Sequence, residues 1–311
     1  MSNRHIQTIY SSLFRKPLDI HFEKEIFELK DGDFLECYWK KIKNHSDTTP
    51  IVVLFHGLAG SFESPYIQGV VKELSAHGFS AVLMHFRGCT GNDNRLPRSY
   101  HSGDTGDALE FTQALQERYP QAKLYGVGYS LGANMLLKLL GEKKEHSPFE
   151  KAVAVSPPMQ LDICARAMNK GLSRYYQYRL LKDLKIALEK KYEKHDMESL
   201  IHLKRQEIEN LKDFEAFDGA YTAPVHGFAS AQDYYTKCSS RQFLKDIQTP
   251  ILIIHSKDDP FMSEDIIPKA EELSESVTLE LLEKGGHVGF ISGTLFSPEY
   301  WLEKRIVAFF V

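Results

Sequence analysis

A serine flanked by two glycines is the feature of this sequence that points most directly to chemistry. Residues 124–140 read LYGVGYSLGANMLLKLL and contain Gly128-x-Ser130-x-Gly132 between an apolar stretch and a helix-forming one. A sharp turn from strand to helix needs small residues on both sides and presents the serine hydroxyl at the helix N-terminus. The sequence therefore predicts Ser130 as a nucleophile, with the backbone N–H of Leu131 directed at a developing oxyanion. The alternative is a glycine turn that only packs the helix against a sheet.

A nucleophilic serine needs a base, and the base needs a carboxylate that orients it. The apolar stretch at 250–256 ends in KDDP, and the stretch at 277–282 is followed by EKGGH. His287 is the predicted base, because the two glycines before it let a loop carry the imidazole over the sheet edge. Asp259 is the favoured acid because it directly precedes the proline at the turn, and Asp258 is the alternative, which would otherwise cap that turn.

A second oxyanion donor is expected from the loop after an earlier strand. Residues 51–55 run directly into HGLAG at 56–60. Gly57 permits close approach, so we predict that the backbone N–H of Leu58 is this donor. His56 is interpreted as a residue that organises the loop, because the base position is already filled.

Short apolar stretches that alternate with helix-length stretches must position these residues. The predicted strands are 25–30, 34–41, 51–55, 80–86, 123–129, 151–156, 250–256 and 277–282, and the predicted helices are 66–77, 104–119, 131–144 and 301–310. The first two strands alternate in polarity around a DGD turn, as an edge hairpin does, and the later strands are continuously apolar, as strands covered on both faces are. We predict an α/β fold with an eight-stranded, mostly parallel sheet and helices on both faces.

The alternation is interrupted after the sixth strand by a charge-rich helical segment. We expect residues 1–160 and 243–311 to form the core and residues 161–242 to form a helical lid over an apolar pocket. Tyr175, Tyr176 and Tyr178 are expected either to line that pocket or to lie in the core of the insertion. The acids interleaved with lysines over 182–212 favour a solvated helical face over a basic partner-binding helix.

Composition excludes several classes of protein. The chain has 311 residues, 42% of them hydrophobic and 26% charged, which is typical of a globular protein and not of a disordered one. A formal net charge of -4 disfavours nucleic-acid binding. The four cysteines form no CxxC pair and are expected to be free thiols. Residues 1–17 lack the apolar stretch of a secretory signal, and no window approaches the ~20 apolar residues of a membrane span. A soluble cytoplasmic protein is the expectation.

Residues His101, Asp104 and Asp107 raise the question of a metal site. Asp104 and Asp107 fit the N-cap and first turn of the helix predicted over 104–119, so we expect neither a metal nor a cofactor. Arg87 is expected to hold the neighbouring loops together by pairing with carboxylates.

Several strings of residues together resemble a known family. They are HIQTIY (5–10), HGLAG (56–60), SPY (64–66), MHFRGC (84–89), YHSGDTGD (100–107), GYSLGANM (128–135), FDGAYTAPVHGF (217–228), HSKDDPF (255–261) and GGHVGF (285–290). The chain resembles the YheT-like branch of the α/β-hydrolases, which is related to fungal medium-chain ethyl-ester synthase/esterases and mammalian ABHD lipases. The resemblance implies an α/β-hydrolase fold, Ser130, Asp259 and His287 as charge-relay residues, and carboxylic-ester hydrolase activity.

The predicted function is that of a serine hydrolase that cleaves short- to medium-chain acyl esters through an acyl-enzyme, with a small-molecule ester as its partner. Two alternatives remain open. One is acyl transfer to an alcohol, which uses the same acyl-enzyme but excludes water. The other is a catalytically idle binding protein built on the same fold.

Overall fold

One twisted sheet brings together residues that lie far apart in the chain. The computed structural model describes residues 3–294 and 297–311, so residues 1, 2, 295 and 296 of the predicted core lie outside the described part. The strands of the sheet are β1 (Glu23–Glu28), β2 (Phe34–Lys40), β3 (Ile51–Phe55), β4 (Ser80–Met84), β5 (Leu124–Tyr129), β6 (Lys151–Val155), β7 (Ile251–Ser256) and β8 (Val277–Leu282). Their order is β1-β2-β4-β3-β5-β6-β7-β8, with β2 antiparallel to β1 and β4 and all other neighbours parallel. The predicted eight-stranded, mostly parallel sheet is confirmed.

Helices cover both faces of this sheet. They are α1 (Arg4–Phe14), α2 (Pro65–Ala76), α3 (Thr105–Arg118), α4 (Leu131–Lys143), α5 (Leu161–Met168), α6 (Ser173–Lys194), α7 (Met197–Ile201), α8 (Phe214–Phe217), α9 (Ala223–Val225), α10 (Ala231–Cys238) and α11 (Trp301–Phe310). The side chains of β3 alternate between two hydrophobic cores: Val53 and Phe55 pack with α3 and α4, and Val52 and Leu54 pack with α2 and α11. This two-sided burial explains why the central strands are continuously apolar.

One helix and one pair of strands lie outside the predicted set. The first is α1, although its apolar residues recur at helical spacing, at Ile6, Ile9, Tyr10, Leu13 and Phe14. Only Gln7 and Tyr10 of this helix are buried. The second is a short antiparallel pair, β9 (Ile291–Gly293) with β10 (Pro298–Tyr300), which precedes α11. Strands of three residues are too short to show an alternating pattern.

The insertion between β6 and β7 is helical, as expected, and contains α5 to α10. It has a hydrophobic cluster of its own that includes Leu181, Leu188 and Phe217. Lys194 on the outside of α6 pairs with Asp93, which fits the predicted solvated face. Lys191 departs from that prediction, because its side chain is buried and its ammonium donates a hydrogen bond to the Leu96 carbonyl at 2.7 Å.

Short 3₁₀ or π-helical turns connect these elements. They lie at Lys144–His146, Arg205–Asn210, Asp218–Thr222, Ser240–Asp246, Glu264–Ile266 and Ala270–Glu272. Within residues 3–294 and 297–311, no helix is both long enough and apolar enough to cross a bilayer.

Candidate active site

Ser130 lies at the turn between β5 and α4, in a backbone conformation that side chains rarely adopt, with φ +50° and ψ -117°. The two glycines of the motif make this turn possible. A Cβ on Gly128 would lie 2.6 Å from the Cα of Ala133, and a Cβ on Gly132 would lie 2.5 Å from the Phe55 carbonyl oxygen. The close packing of α4 on β3 and β5 therefore depends on glycine at both positions, as the GxSxG pattern predicts.

The structure brings Ser130, Asp259 and His287 together, although they are far apart in the chain. They follow β5, β7 and β8, whose carboxyl ends lie at the same edge of the sheet. The Nε2 atom of His287 is 2.9 Å from the Ser130 Oγ, and its Nδ1 atom is 2.8 Å from the Asp259 Oδ2. Because a carboxylate can only accept, Nδ1 carries the proton and Nε2 is left to accept the serine O–H.

The neighbouring acid, Asp258, has a different set of contacts. Its Oδ1 accepts hydrogen bonds from the backbone N–H groups of Gly285 and Gly286, both at 2.9 Å. It therefore anchors the loop that carries His287, rather than the turn after β7. That turn is closed by Asp259, whose Oδ1 accepts from the Phe261 N–H at 2.8 Å.

Helix α1 and the end of β7 also hold the His287 loop, and sequence reasoning missed both contacts. The His287 N–H donates to the Thr8 Oγ1 at 2.9 Å, and the Ser256 hydroxyl donates to the Gly286 carbonyl at 2.7 Å. Gln7 exchanges two hydrogen bonds of 2.8 Å with the backbone of Ile291. HIQTIY (5–10) is one of the strings that resemble the family, but its residue types do not indicate which loop this helix contacts.

Aromatic rings link His287 to the insertion. The ring of Phe261 stacks on the imidazole of His287, with centroids 4.1 Å apart and planes 13° apart. Tyr176 of α6 packs on Phe261 at 5.1 Å, and its hydroxyl is 3.2 Å from the Nδ1 of His5. The base is therefore covered by a ring that also contacts α6.

The HGLAG loop lies beside the serine. His56 is fully buried, its Nε2 accepts from the Phe86 N–H at 3.2 Å, and its Nδ1 donates to the Gly57 carbonyl at 2.6 Å. Burial lowers the pKa of His56 to about 4, so the ring is neutral and organises the loop. Leu58 and Leu131, the predicted oxyanion donors, line the same cavity as Ser130.

That cavity has a volume of about 330 Å³ and lies between the sheet edge and the insertion. The residues that line it from the insertion are mainly apolar: Leu161, Cys164, Ala165, Met168, Leu180, Leu184, Ala187, Leu188, Phe214, Phe217, Tyr221, Tyr234 and Tyr235. The aromatic residues among them come from α8, α10 and the turn between α8 and α9. Tyr175 and Tyr178 neither line the cavity nor lie in the core of the insertion, because both are mostly exposed.

Arg87 lines the cavity and joins neighbouring loops, as predicted. Its guanidinium donates two hydrogen bonds of 2.6 Å to Asp107 and one of 2.9 Å to Asp33, and it also lies 2.9 Å from Asp31. Bidentate pairing of this kind fixes both partners in orientation.

A cluster of His101, Asp104 and His226 lies nearby, with one potential ligand atom from each residue within 4.8 Å of the others. His101 Nδ1 accepts a hydrogen bond from the Gly103 N–H at 3.2 Å, so the proton of the neutral ring is on Nε2. In this tautomer neither ring nitrogen has a free lone pair for a metal ion. Asp104 occupies the N-cap position of α3 and Asp107 lies in its first turn, as predicted. The Asp104 side chain caps no N–H of α3 among the described residues but pairs with Arg98 at 3.2 Å. Burial raises the pKa of the Asp104 carboxyl to about 7, and the negative charge of Asp107 adds to this shift.

The fold and this site define the class of protein. The chain belongs to the α/β-hydrolase fold family, whose sequence profile matches residues 50–294. Among known proteins it is similar to YheT of Escherichia coli (strain K12), named as a candidate esterase, with 44% identity over 98% of this chain and 89% of that protein.

Two proteins of Saccharomyces cerevisiae are also similar. The monoacylglycerol lipase is 32% identical over 86% of this chain and 60% of its own length. The medium-chain fatty acid ethyl ester synthase/esterase 2 is 30% identical over 84% of this chain and 62% of its own length. The chain thus spans less than two thirds of both yeast proteins.

Solved structures show the same fold. Est1E from Butyrivibrio proteoclasticus, bound to ferulic acid, aligns with a TM-score of 0.59 at 17% identity, over 92% of this chain and 98% of that one. The Pyrococcus furiosus esterase Pf2001 aligns with a TM-score of 0.58 at 17% identity, over 94% of this chain and 90% of that one.

Proposed function

We propose that this chain is a serine hydrolase of carboxylic esters that works through an acyl-enzyme on Ser130. The observation that carries the proposal is the continuous hydrogen-bonded series Asp259–His287–Ser130, with distances of 2.8 and 2.9 Å at a strand-to-helix turn. The names of the relatives, which include an esterase and a lipase, support the same class of reaction.

In the first half of the reaction, the Ser130 Oγ attacks the ester carbonyl carbon and its proton passes to the Nε2 of His287. The negative charge that develops on the carbonyl oxygen is stabilised by the backbone N–H groups of Leu58 and Leu131. The carbon–oxygen bond of the ester then breaks, and His287 returns the proton to the departing alcohol. Asp259 keeps the imidazole in its tautomer and stabilises the imidazolium.

In the second half, water takes the place of the alcohol. His287 removes a proton from water, the resulting hydroxide attacks the acyl carbon, and the bond to the Ser130 Oγ breaks as that oxygen regains the proton. The carboxylic acid leaves and the enzyme returns to its starting state.

The substrate is proposed to be an ester with a short- to medium-chain acyl group. The insertion lines the cavity mainly with apolar side chains, and the cavity volume of about 330 Å³ lies at the lower end of the ~300–1,000 Å³ typical of ligand sites. The insertion, residues 161–242, forms its roof and is proposed to act as a lid that keeps water from the acyl chain.

Replacement of the nucleophile tests this proposal. Ser130→Ala is expected to abolish both the hydrolysis of p-nitrophenyl butyrate and labelling by a fluorophosphonate probe, and Ser12→Ala, a change at an exposed serine of α1, should preserve both. Hydrolysis retained by Ser130→Ala would refute the assignment of the nucleophile. Wild-type protein that is folded but neither labelled nor active would identify a catalytically idle binding protein.

Acyl transfer is a second candidate, because one relative is named an ester synthase as well as an esterase. Both reactions share the acyl-enzyme, so they differ only in what attacks it. Product analysis with added ethanol separates them: free acid in excess of ethyl ester supports hydrolysis, and the reverse ratio identifies a transferase.

A further inference from the structure

Helix α6 and its N-cap residue Leu172 expose apolar side chains on the outside of the insertion. Leu172, Tyr175, Tyr178 and Ile186 have exposed fractions of 66%, 60%, 64% and 49%. At 100° per residue they lie within an arc of about 120° on one side of the helix. Each would be stabilised by burial, so their grouping on one side indicates a binding surface.

The first part of this surface, residues 170–182, has an excess of positive charge. Residues 170–182 contain Lys170, Arg174, Arg179 and Lys182 and no acid, although the whole chain has a net charge of -4. All four cations are exposed. The second half of α6 differs, because there Lys190 and Lys194 both pair with Asp93. Asp183, the acid that follows the segment, is exposed and also lines the cavity.

This outer surface lies close to the site. Leu180, Leu184 and Leu188, on another side of the same helix, line the cavity that contains Ser130. A ligand on the outer side of α6 would therefore lie about one helix diameter, ~10 Å, from the cavity.

We propose that the outer side of α6, defined by Leu172, Tyr175, Tyr178, Ile186, Arg179 and Lys182 with the flanking Lys170 and Arg174, binds an anionic lipid surface. Tyrosine and aliphatic side chains enter the boundary between headgroups and acyl chains, while arginine and lysine contact the lipid phosphates. A second copy of this chain is the less favourable occupant, because twofold pairing of this surface with itself would place the four cations of each copy against one another.

Vesicle flotation with the full chain tests the proposal. The wild type is expected to float with vesicles of phosphatidylcholine and phosphatidylglycerol at low salt, to bind phosphatidylcholine alone far more weakly, and to be released by high salt. R174Q/R179Q should lower the partition coefficient on the anionic vesicles about 25-fold, at about fivefold for each cation removed. Y175S/Y178S should lower binding at every salt concentration.

The matched control is K72Q/K304Q, which removes two exposed cations from α2 and α11, away from the insertion, and should change binding less than about twofold. Circular dichroism melting of each variant establishes that it is folded. Three results would overturn the proposal: no flotation of the wild type, equal losses in R174Q/R179Q and K72Q/K304Q, or a dimer without vesicles that Y175S/Y178S dissociates, which would assign the surface to a second copy. Binding needs no turnover, so Ser130→Ala should float like the wild type, and a failure of the proposed hydrolase function would leave this result unaffected.

Discussion

Two adjacent aspartates illustrate how neighbouring residues of one type acquire different tasks. Asp259 contacts the ring of His287 through Oδ2, while Asp258 accepts hydrogen bonds from the backbone of the two residues that precede His287. The first contact orients the imidazole and would stabilise its charged form. The second only restrains the loop, so the two carboxylates should differ sharply in their effect on rate.

This difference predicts the outcome of two substitutions. Asp259→Asn should lower kcat on the order of 10⁴-fold, because an amide cannot hold the imidazole in the required tautomer. Asp258→Asn should cost at most about 10²-fold, since it loosens the loop without removing the partner of the ring. Steady-state kinetics on p-nitrophenyl butyrate measure both, and the opposite ranking would assign the triad acid to Asp258.

Asp104 gives a residue-scale prediction about stability and pH. Its pKa is raised to about 7 in the folded chain, by burial first and then by Asp107, from an ordinary value of 3.8. Between these pH values the native state keeps a proton that the unfolded state has released, so this contribution to stability is lost as the pH rises through 7.

Asp104→Asn removes that dependence. The variant should therefore gain stability relative to wild type on going from pH 5 to pH 8, on the order of 2 kcal/mol. Urea unfolding at the two pH values measures the difference. A variant whose difference from wild type is the same at both would contradict the assigned protonation state.

At the scale of elements, α1 buttresses the loop that carries the base. Its Thr8 hydroxyl donates to the Arg4 carbonyl and accepts from the His287 N–H. A helix from the start of the chain thus contacts a loop that lies close to its end. The effect of Thr8 on catalysis should come through the position of His287.

Replacing Thr8 separates this positioning effect from a loss of fold. Thr8→Val keeps the shape but leaves the His287 N–H without its acceptor, which should lower kcat about tenfold with little change in KM. Thr8→Ser retains the hydroxyl and should restore most of the rate. If valine and serine behave alike, the hydroxyl does not position the base.

At the scale of the whole molecule, the insertion and the core share one cavity, which should set the length of the acyl chain. Ala165 of α5 is buried and lines that cavity, so a larger side chain there takes space from the substrate. Each methylene that loses its place in an apolar site costs about 0.8 kcal/mol.

Ala165→Leu should therefore lower kcat/KM for the longest accepted p-nitrophenyl ester about tenfold, while leaving p-nitrophenyl acetate nearly unchanged. Ala216→Leu is the matched control, because Ala216 belongs to the same insertion but is exposed. A uniform loss across all chain lengths would show that the acyl group lies elsewhere.

The sequence alone determined the strands of the eight-stranded sheet, the turn at Ser130 and the order of the candidate residues along the chain, because these depend on local features. A strand buried on both faces must be apolar throughout, and α4 packs closely on β3 and β5 only where Gly128 and Gly132 lack a side chain. The tertiary structure decided which of two adjacent acids faces His287, what Thr8 touches and which aromatic residues line the cavity. The contact of Thr8 and the lining of the cavity depend on segments that are far apart in the chain. The choice between the two acids depends on which way each side chain points within one turn. A local sequence pattern predicts neither.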